Sequence, residues 1–270
     1  MAGGRQRVAE IEGPLTSDPT QYTYPVYEVG PDVPHDRVRV DGRFSRVSHG
    51  DRRLEIQDGG TVRIPIPAEA RPAVGTDAQI IVIDRETQEE WGVWRARPDR
   101  RDWRIENGYR YSVRWDAVPP GDDEGRPFGS RGAGVPYLAG LVRPCEIDEG
   151  RIDHALAFAY DFPGPRHVFP ATKSDGASDD PAALPEGARL QLDPAMTPAE
   201  LERAGCLDAC LMFARALQDY GMYVIDNAGR PKVMVEYEAT ANWGGRVDAS
   251  TVSPIPLDRF RVVAPPGRTS

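Results

Sequence analysis

The chain has 270 residues, no run of about 20 apolar residues that could cross a bilayer, and a formal net charge of -9. An acidic balance of that size excludes a protein whose main partner is phosphate-bearing nucleic acid. Glycine (27) and proline (26) are abundant, helix-like windows are few and turn signals recur at short spacing, which predicts an all-β fold.

In chain order, residues 1–20 are polar and are expected to form a flexible N-terminal arm, with a single domain over 21–265. The first β pattern is "YTYPVYEV" (22–29), followed by the alternating "DRVRVDGRFSRVS" (36–48). The stretch "TVRIPIPAEARP" (61–72) is expected to be an edge strand, because proline cannot donate to a ladder. Next, "AQIIVID" and "EEWGVWRA" are joined by a short turn, and "DWRIE-NG-YRYSV" predicts an Asn-Gly hairpin, so that four strands form a meander. After a Gly-rich loop (119–136), "DHALAFAYDF" alternates, with His154, Leu156, Phe158 and Tyr160 on one side and Asp153 on the other. A second polar loop carries Lys173, Asp175, Asp179 and Asp180.

One helical excursion is predicted at about 197–220. Thr197, Pro198 and Glu200 form a capping box, Gly205 breaks the helix and Gly221 ends it. The remaining "MYVID-NAGR-PKVMVEYE" is expected to be a hairpin. Together these elements predict a β-sandwich of jelly-roll type with one helical insertion.

The residue types that carry chemistry offer several constellations. Glu236 and Glu238 lie two apart on a predicted strand and so share a face, at a spacing compatible with a glycosidase carboxylate pair. Catalytic pairs usually come from different strands, and adjacent carboxylates on one strand are more often the solvated side of a sheet. Asp153 and His154 point to opposite faces, so His154 is a candidate base and Asp153 a candidate partner carboxylate rather than a dyad. Trp243, in a Gly-rich loop, and Trp94 are candidate stacking platforms for sugar rings, with Lys173 and Asp175 as further substrate-binding candidates. The acids of "KSDGASDD" could hold a structural Ca²⁺, but their spacing is not that of an EF-hand. No His-Cys spacing predicts a metal centre, and no other cofactor is expected. Of the three cysteines, a bond from Cys145 to Cys206 or Cys210 is the expected pairing, because Cys206 and Cys210 lie four apart in a helical region.

The runs "RGAGVPYLAGLVRP", "GRIDHALAFAYDFP", "PATKSDG", "LPEGARLQLDP" and "ARALQDYGMYVIDNAGRPKVMVEYE" form a set. This set resembles uncharacterised, exported β-sandwich proteins of actinobacteria. The resemblance implies secretion and a sandwich fold and attaches no activity. The N-terminus lacks the apolar core of a signal peptide, so export would require a leader absent from this sequence; a cytoplasmic protein is the alternative.

The leading expectation is an exported, carbohydrate-active protein that hydrolyses a polysaccharide with a carboxylate pair. The alternatives are a non-catalytic sandwich that binds glycan or protein, and a polysaccharide lyase with a His or Tyr base.

Overall fold

A computed structural model describes residues 11–50, 54–100, 102–114, 122–129 and 131–263. The chain is predominantly β, with three sheets stacked face to face and a helical layer on one outer face. The central sheet has six strands in the order β1 (Val26–Val29), β6 (Ile80–Asp84), β7 (Glu89–Trp94), β10 (Asn107–Ser112), β3 (Arg46–Gly50) and β4 (Leu54–Asp58). On one side lies a four-stranded sheet of β5 (Gly60–Ile64), β2 (Asp36–Val40), β9 (Asp102–Ile105) and β8 (Arg97–Asp99). On the other lies a five-stranded sheet, in the order β16 (Lys232–Val233), β11 (Leu156–Tyr160), β15 (Met222–Asn227), β14 (Arg189–Leu192) and β17 (Phe260–Val263). A two-stranded ribbon pairs β12 (Gly164–His167) with β13 (Pro185–Glu186).

This stacking explains the unbroken apolar run of β6, whose residues are buried on both faces. Ile80 and Val82 join Val38, Val62 and Trp103 in the core against the four-stranded sheet. Ile81 and Ile83 turn the other way and pack with Ala157, Ala159 and Ile225 of the five-stranded sheet. β11 divides likewise: Leu156, Phe158 and Tyr160 face a third core that includes Phe213 and Leu217 of the helical layer. The helical layer holds α1 (Pro144–Glu149), α2 (Pro198–Arg203) and α3 (Ala209–Asp219). Thr197 caps α2 through the expected capping box, and Gly221 beyond α3 adopts a left-handed φ of 76°. Among the described residues, no helix is long and apolar enough to cross a membrane.

The all-β expectation holds at this level, and β5 is an edge strand as expected. The strand order is not that of a purely antiparallel jelly roll, because β1/β6, β3/β10, β2/β9 and β11/β15 run parallel.

Three local expectations fail. Asn107-Gly108 makes no hairpin: β9 pairs with β2 and β8, whereas β10 pairs with β7 and β3. The chain crosses between sheets at Glu106, and Gly108 serves close packing, since a Cβ there would stand 2.9 Å from the Gly92 carbonyl oxygen. β15 and β16 are not hairpin partners either, because β11 lies between them. The disulfide joins Cys206 to Cys210, and Cys145 is free and exposed. The four-residue spacing does not lie within one helix. Cys206 precedes α3, and Asp208, with φ 47°, turns the chain between the two cysteines.

Residues 1–10 of the expected arm lie outside the described residues. The rest of that arm is packed, with Leu15 and Ser17 fully buried and Thr16 bridged to Lys232.

Candidate active site

Three acidic side chains from distant parts of the sequence meet at one end of the cleft between the five- and six-stranded sheets. They are Asp175 from the loop after β12, Glu186 from β13 and Asp226 from β15. Their closest carboxylate oxygens all lie within 4.8 Å of one another. The cluster forms around Gly132. An ideal Cβ there would stand 2.6 Å from an Asp175 oxygen, 2.7 Å from one of Glu186 and 2.8 Å from one of Asp226. Glycine is needed here for space, not for a special backbone angle.

Backbone hydrogen bonds lock the contributing segments together. Ala133 N–H donates to the Ile225 carbonyl (2.9 Å), and Thr172 N–H donates to that of Ala133 (2.8 Å). Gly187 N–H donates to the Val224 carbonyl (2.7 Å) and Val168 N–H to that of Glu186 (2.8 Å). Gly187 has φ +85°, and a Cβ would overlap the Val168 carbonyl oxygen, so only glycine lets β13 carry Glu186 this close to β15.

The burial of the three acids is graded: Asp175 is exposed, Asp226 half-buried and Glu186 fully buried. Four glutamates are buried among the described residues. Glu90 accepts from Tyr109 and from Leu138 N–H, Glu106 from Arg95 and Phe44 N–H, and Glu236 from Arg143 and Thr240. Glu186 alone has no hydrogen-bond donor at either oxygen. Buried acceptors without donors are costly, which sets Glu186 apart from the three structural glutamates.

Burial pushes the Glu186 carboxyl up to about 10, reinforced by the neighbouring Asp175 and Asp226 carboxylates. Glu186 therefore carries a proton at neutral pH and can donate it toward Asp175. Burial also raises Asp226, to about 7, with Asp175 adding to the shift and Arg131 opposing it. Lys173 stands beside the cluster without an ion pair within 4 Å among the described residues, and burial lowers its ammonium. Arg131 is buried beneath. It donates to Tyr24 Oη (3.2 Å) and to the carbonyls of Ala139 (3.0 Å) and Tyr137 (2.5 Å).

The trio is also the one group among the described residues whose acidic oxygens stand close enough to share a hard cation such as Ca²⁺. Protons, with the charges of Lys173 and Arg131, relieve the same repulsion. Of the acids in "KSDGASDD", only Asp175 belongs to the group.

Asp175 and Asp226 open onto a cavity of about 750 Å³ that is also lined by Phe44, Arg46, Trp94, Asn107 and Lys173, with Glu186 buried behind them. Trp94 is half-buried, donates through its indole N–H to Asp77 (3.0 Å) and lies 6.1 Å from the exposed Phe44 ring. Of the residues singled out from sequence, Lys173, Asp175 and Trp94 thus come together in one groove.

The others do not join them. Only Lys232–Val233 of "KVMVEYE" is a strand, with isolated bridges at Val235 and Glu236. Glu236 is buried against Arg143 (2.9 Å), whereas Glu238 is exposed, so they share no face. His154 precedes β11 and binds Glu146 (2.8 Å), which is enough to raise its imidazole despite the opposing burial; Asp153 pairs with Arg151 (3.1 Å). Trp243 is 4% exposed and donates to the Glu236 carbonyl (3.0 Å), which makes it a core residue rather than a platform.

Glu186 and Asp226 escape a reading based on local spacing, because Glu186 is a lone acid on the two-residue β13 and Asp226 a lone acid near the end of the apolar β15. Both nevertheless fall within the quoted runs "LPEGARLQLDP" and "GMYVIDNAGR", as Gly132 and Asp175 fall within "RGAGVPYLAGLVRP" and "PATKSDG". No protein-family model, curated protein or solved structure matches the chain.

Proposed function

We propose that this protein is a glycoside hydrolase acting on a polysaccharide bound in the groove, with Asp226 and Asp175 as its carboxylate pair. The observation that carries this reading is the convergence of Asp175 and Asp226, backed by the buried Glu186, in a cleft that Trp94 and Phe44 also line. Glycosidases need two carboxyl groups with separated proton affinities, and graded burial supplies that separation. With their closest oxygens within 4.8 Å, the carboxylates stand nearer the retaining separation of about 5–5.5 Å than the 6.5–9.5 Å that leaves room for a water.

In this reading Asp226 protonates the glycosidic oxygen as its bond to the anomeric carbon breaks, and Asp175 attacks that carbon. Asp226, now ionised, removes a proton from water, which displaces Asp175. The net change consumes one water and involves no redox step. Glu186, too buried to touch substrate, positions Asp175 through the proton it holds. Arg95 lies over one face of Trp94 (4.2 Å to the ring centroid) and Arg43 over one face of Phe44 (5.2 Å), and the face opposite each guanidinium suits the apolar C–H surface of a sugar ring. Export of the protein belongs to the same proposal.

The test is a panel of neutral and uronate-bearing polysaccharides assayed for new reducing ends and for unsaturated uronate absorbance. Reducing ends alone, lost in Asp226→Asn, support hydrolysis. The unsaturated chromophore would replace this reading with a lyase, and binding without product would leave a glycan-binding protein.

A further inference from the structure

Asp226 does not sit at the blind end of its cavity. A second cavity of about 420 Å³ adjoins the first, and the two share Asp77, Gln79, Asp226 and Asn227 in their walls. Each cavity lies within the volume range of about 300–1,000 Å³ usual for small-molecule sites. Asp226 therefore stands in the wall common to two adjoining lobes, and the outer lobe runs toward Tyr22.

Each lobe carries an exposed aromatic ring. Phe44, beside Trp94, is 49% exposed, and Tyr22 in the outer lobe is 47% exposed. The Tyr22 ring approaches Gly75 so closely that a Cβ there would stand 2.9 Å from it. The Tyr22 backbone has φ 48°, a left-handed conformation that disfavours a non-glycine residue and tends to persist at functional positions. Lys232, a buried lysine, holds that conformation in place: its ammonium donates to the carbonyls of Gln21 (2.7 Å) and Tyr22 (3.1 Å). Nearby, Asp18 accepts from Thr20 N–H (2.8 Å) and fixes the turn before it. A ring presented to solvent on a strained, doubly anchored backbone is a preorganised contact surface.

From these contacts we infer that a glycan chain lies across Asp226 with sugar units in both lobes, Tyr22 stacking on one side of the cleavage point and Phe44 with Trp94 on the other. The protein would then cut within chains and not release units from an end. The cleavage mode rests on the hydrolytic reading; the two-sided binding does not.

The experiment is calorimetric titration with cello-, xylo- and alginate oligosaccharides, from disaccharide to octasaccharide, on the full chain carrying Asp226→Asn. The same titration is repeated with Tyr22→Ala, Tyr22→Phe or Phe44→Ala added. Tyr22→Ala is expected to weaken the longest ligand about tenfold and leave the shortest unchanged, with Tyr22→Phe restoring the affinity. Phe44→Ala is expected to weaken both. Equal affinity with and without Tyr22→Ala at every length overturns the inference, as does the absence of any binding. On the wild type, viscosity falling ahead of reducing-end release supports cutting within chains. Release of only mono- or disaccharide from the first time points overturns that mode while leaving hydrolysis intact. Length-dependent binding without product overturns the hydrolytic reading and leaves the chain-spanning groove standing.

Discussion

The buried carboxyl of Glu186 stands against the solvent-facing carboxylate of Asp175, and no donor from the rest of the described protein reaches either Glu186 oxygen. Two ionised carboxylates cannot rest so close without relief, so the pair holds a proton. In the proposed reaction that proton separates the roles of the acids: Asp226 gives a proton, Asp175 faces the groove as the nucleophile, and Glu186 stays behind them without meeting substrate.

Replacing Asp226 by Asn removes the acid while keeping its shape. Turnover is expected to fall by about 10²–10⁴-fold with little change in KM, the pattern of a group that acts in the transition state. Steady-state kinetics on whichever polysaccharide the panel identifies checks this, and a KM effect alone would mean that Asp226 only binds.

The pH profile follows from the same group. Asp226 must be protonated to act, and burial raises it to about 7. Activity is therefore expected to decline as pH rises through about 7, and a profile still rising between pH 7 and 9 would contradict the assignment.

Stability should carry the signature of Glu186. Its folded value, raised to about 10 from an ordinary 4.5, makes its contribution complete below about pH 4.5, and that contribution is lost as pH climbs toward 10. In Glu186→Gln the amide stands in for the protonated acid. Thermal melts are expected to coincide near pH 4.5. They should diverge in favour of the variant by up to about 1.4 kcal/mol per pH unit above it.

Gly132→Ala tests the packing of the trio. The added methyl would sit 2.6–2.8 Å from all three carboxylates. Overpacking of this kind costs about 1–3 kcal/mol, and here it should also abolish turnover by spreading the acids. A variant with native Tm and native activity would show that the trio is looser than described.

Glu236 and Trp243 provide the contrast. Trp243→Ala should cost about 3–5 kcal/mol as a core truncation. Glu236→Gln should cost about 1–3 kcal/mol by weakening the charged bond to Arg143. At a temperature where both are folded, neither should change kcat, as measured against the wild type in the same assay.

Periodicity and capping signals reached the β class, the α2 capping box and the edge position of β5, because each depends on residues close in sequence. They could not reach the layer order. The chain leaves its own hairpin at Glu106 to enter another sheet, and β11 inserts between β15 and β16; such pairings are decided by long-range burial. The site was legible only in pieces. Lys173 and Asp175 stood out in a polar loop, and Trp94 as an aromatic at a strand end, but Glu186 became visible only once β13 brought it beside β15. Glu236, conspicuous two residues from Glu238, lost its claim when Arg143 proved to be its partner.

The central claim is that the Asp175–Glu186–Asp226 cluster cuts a glycan. The most direct measurement is reducing-end release across the polysaccharide panel by the wild type, Asp226→Asn and Glu238→Gln side by side. Product is expected from the wild type and Glu238→Gln and almost none from Asp226→Asn. Equal product from Asp226→Asn, or no product from the wild type on any substrate, would contradict it.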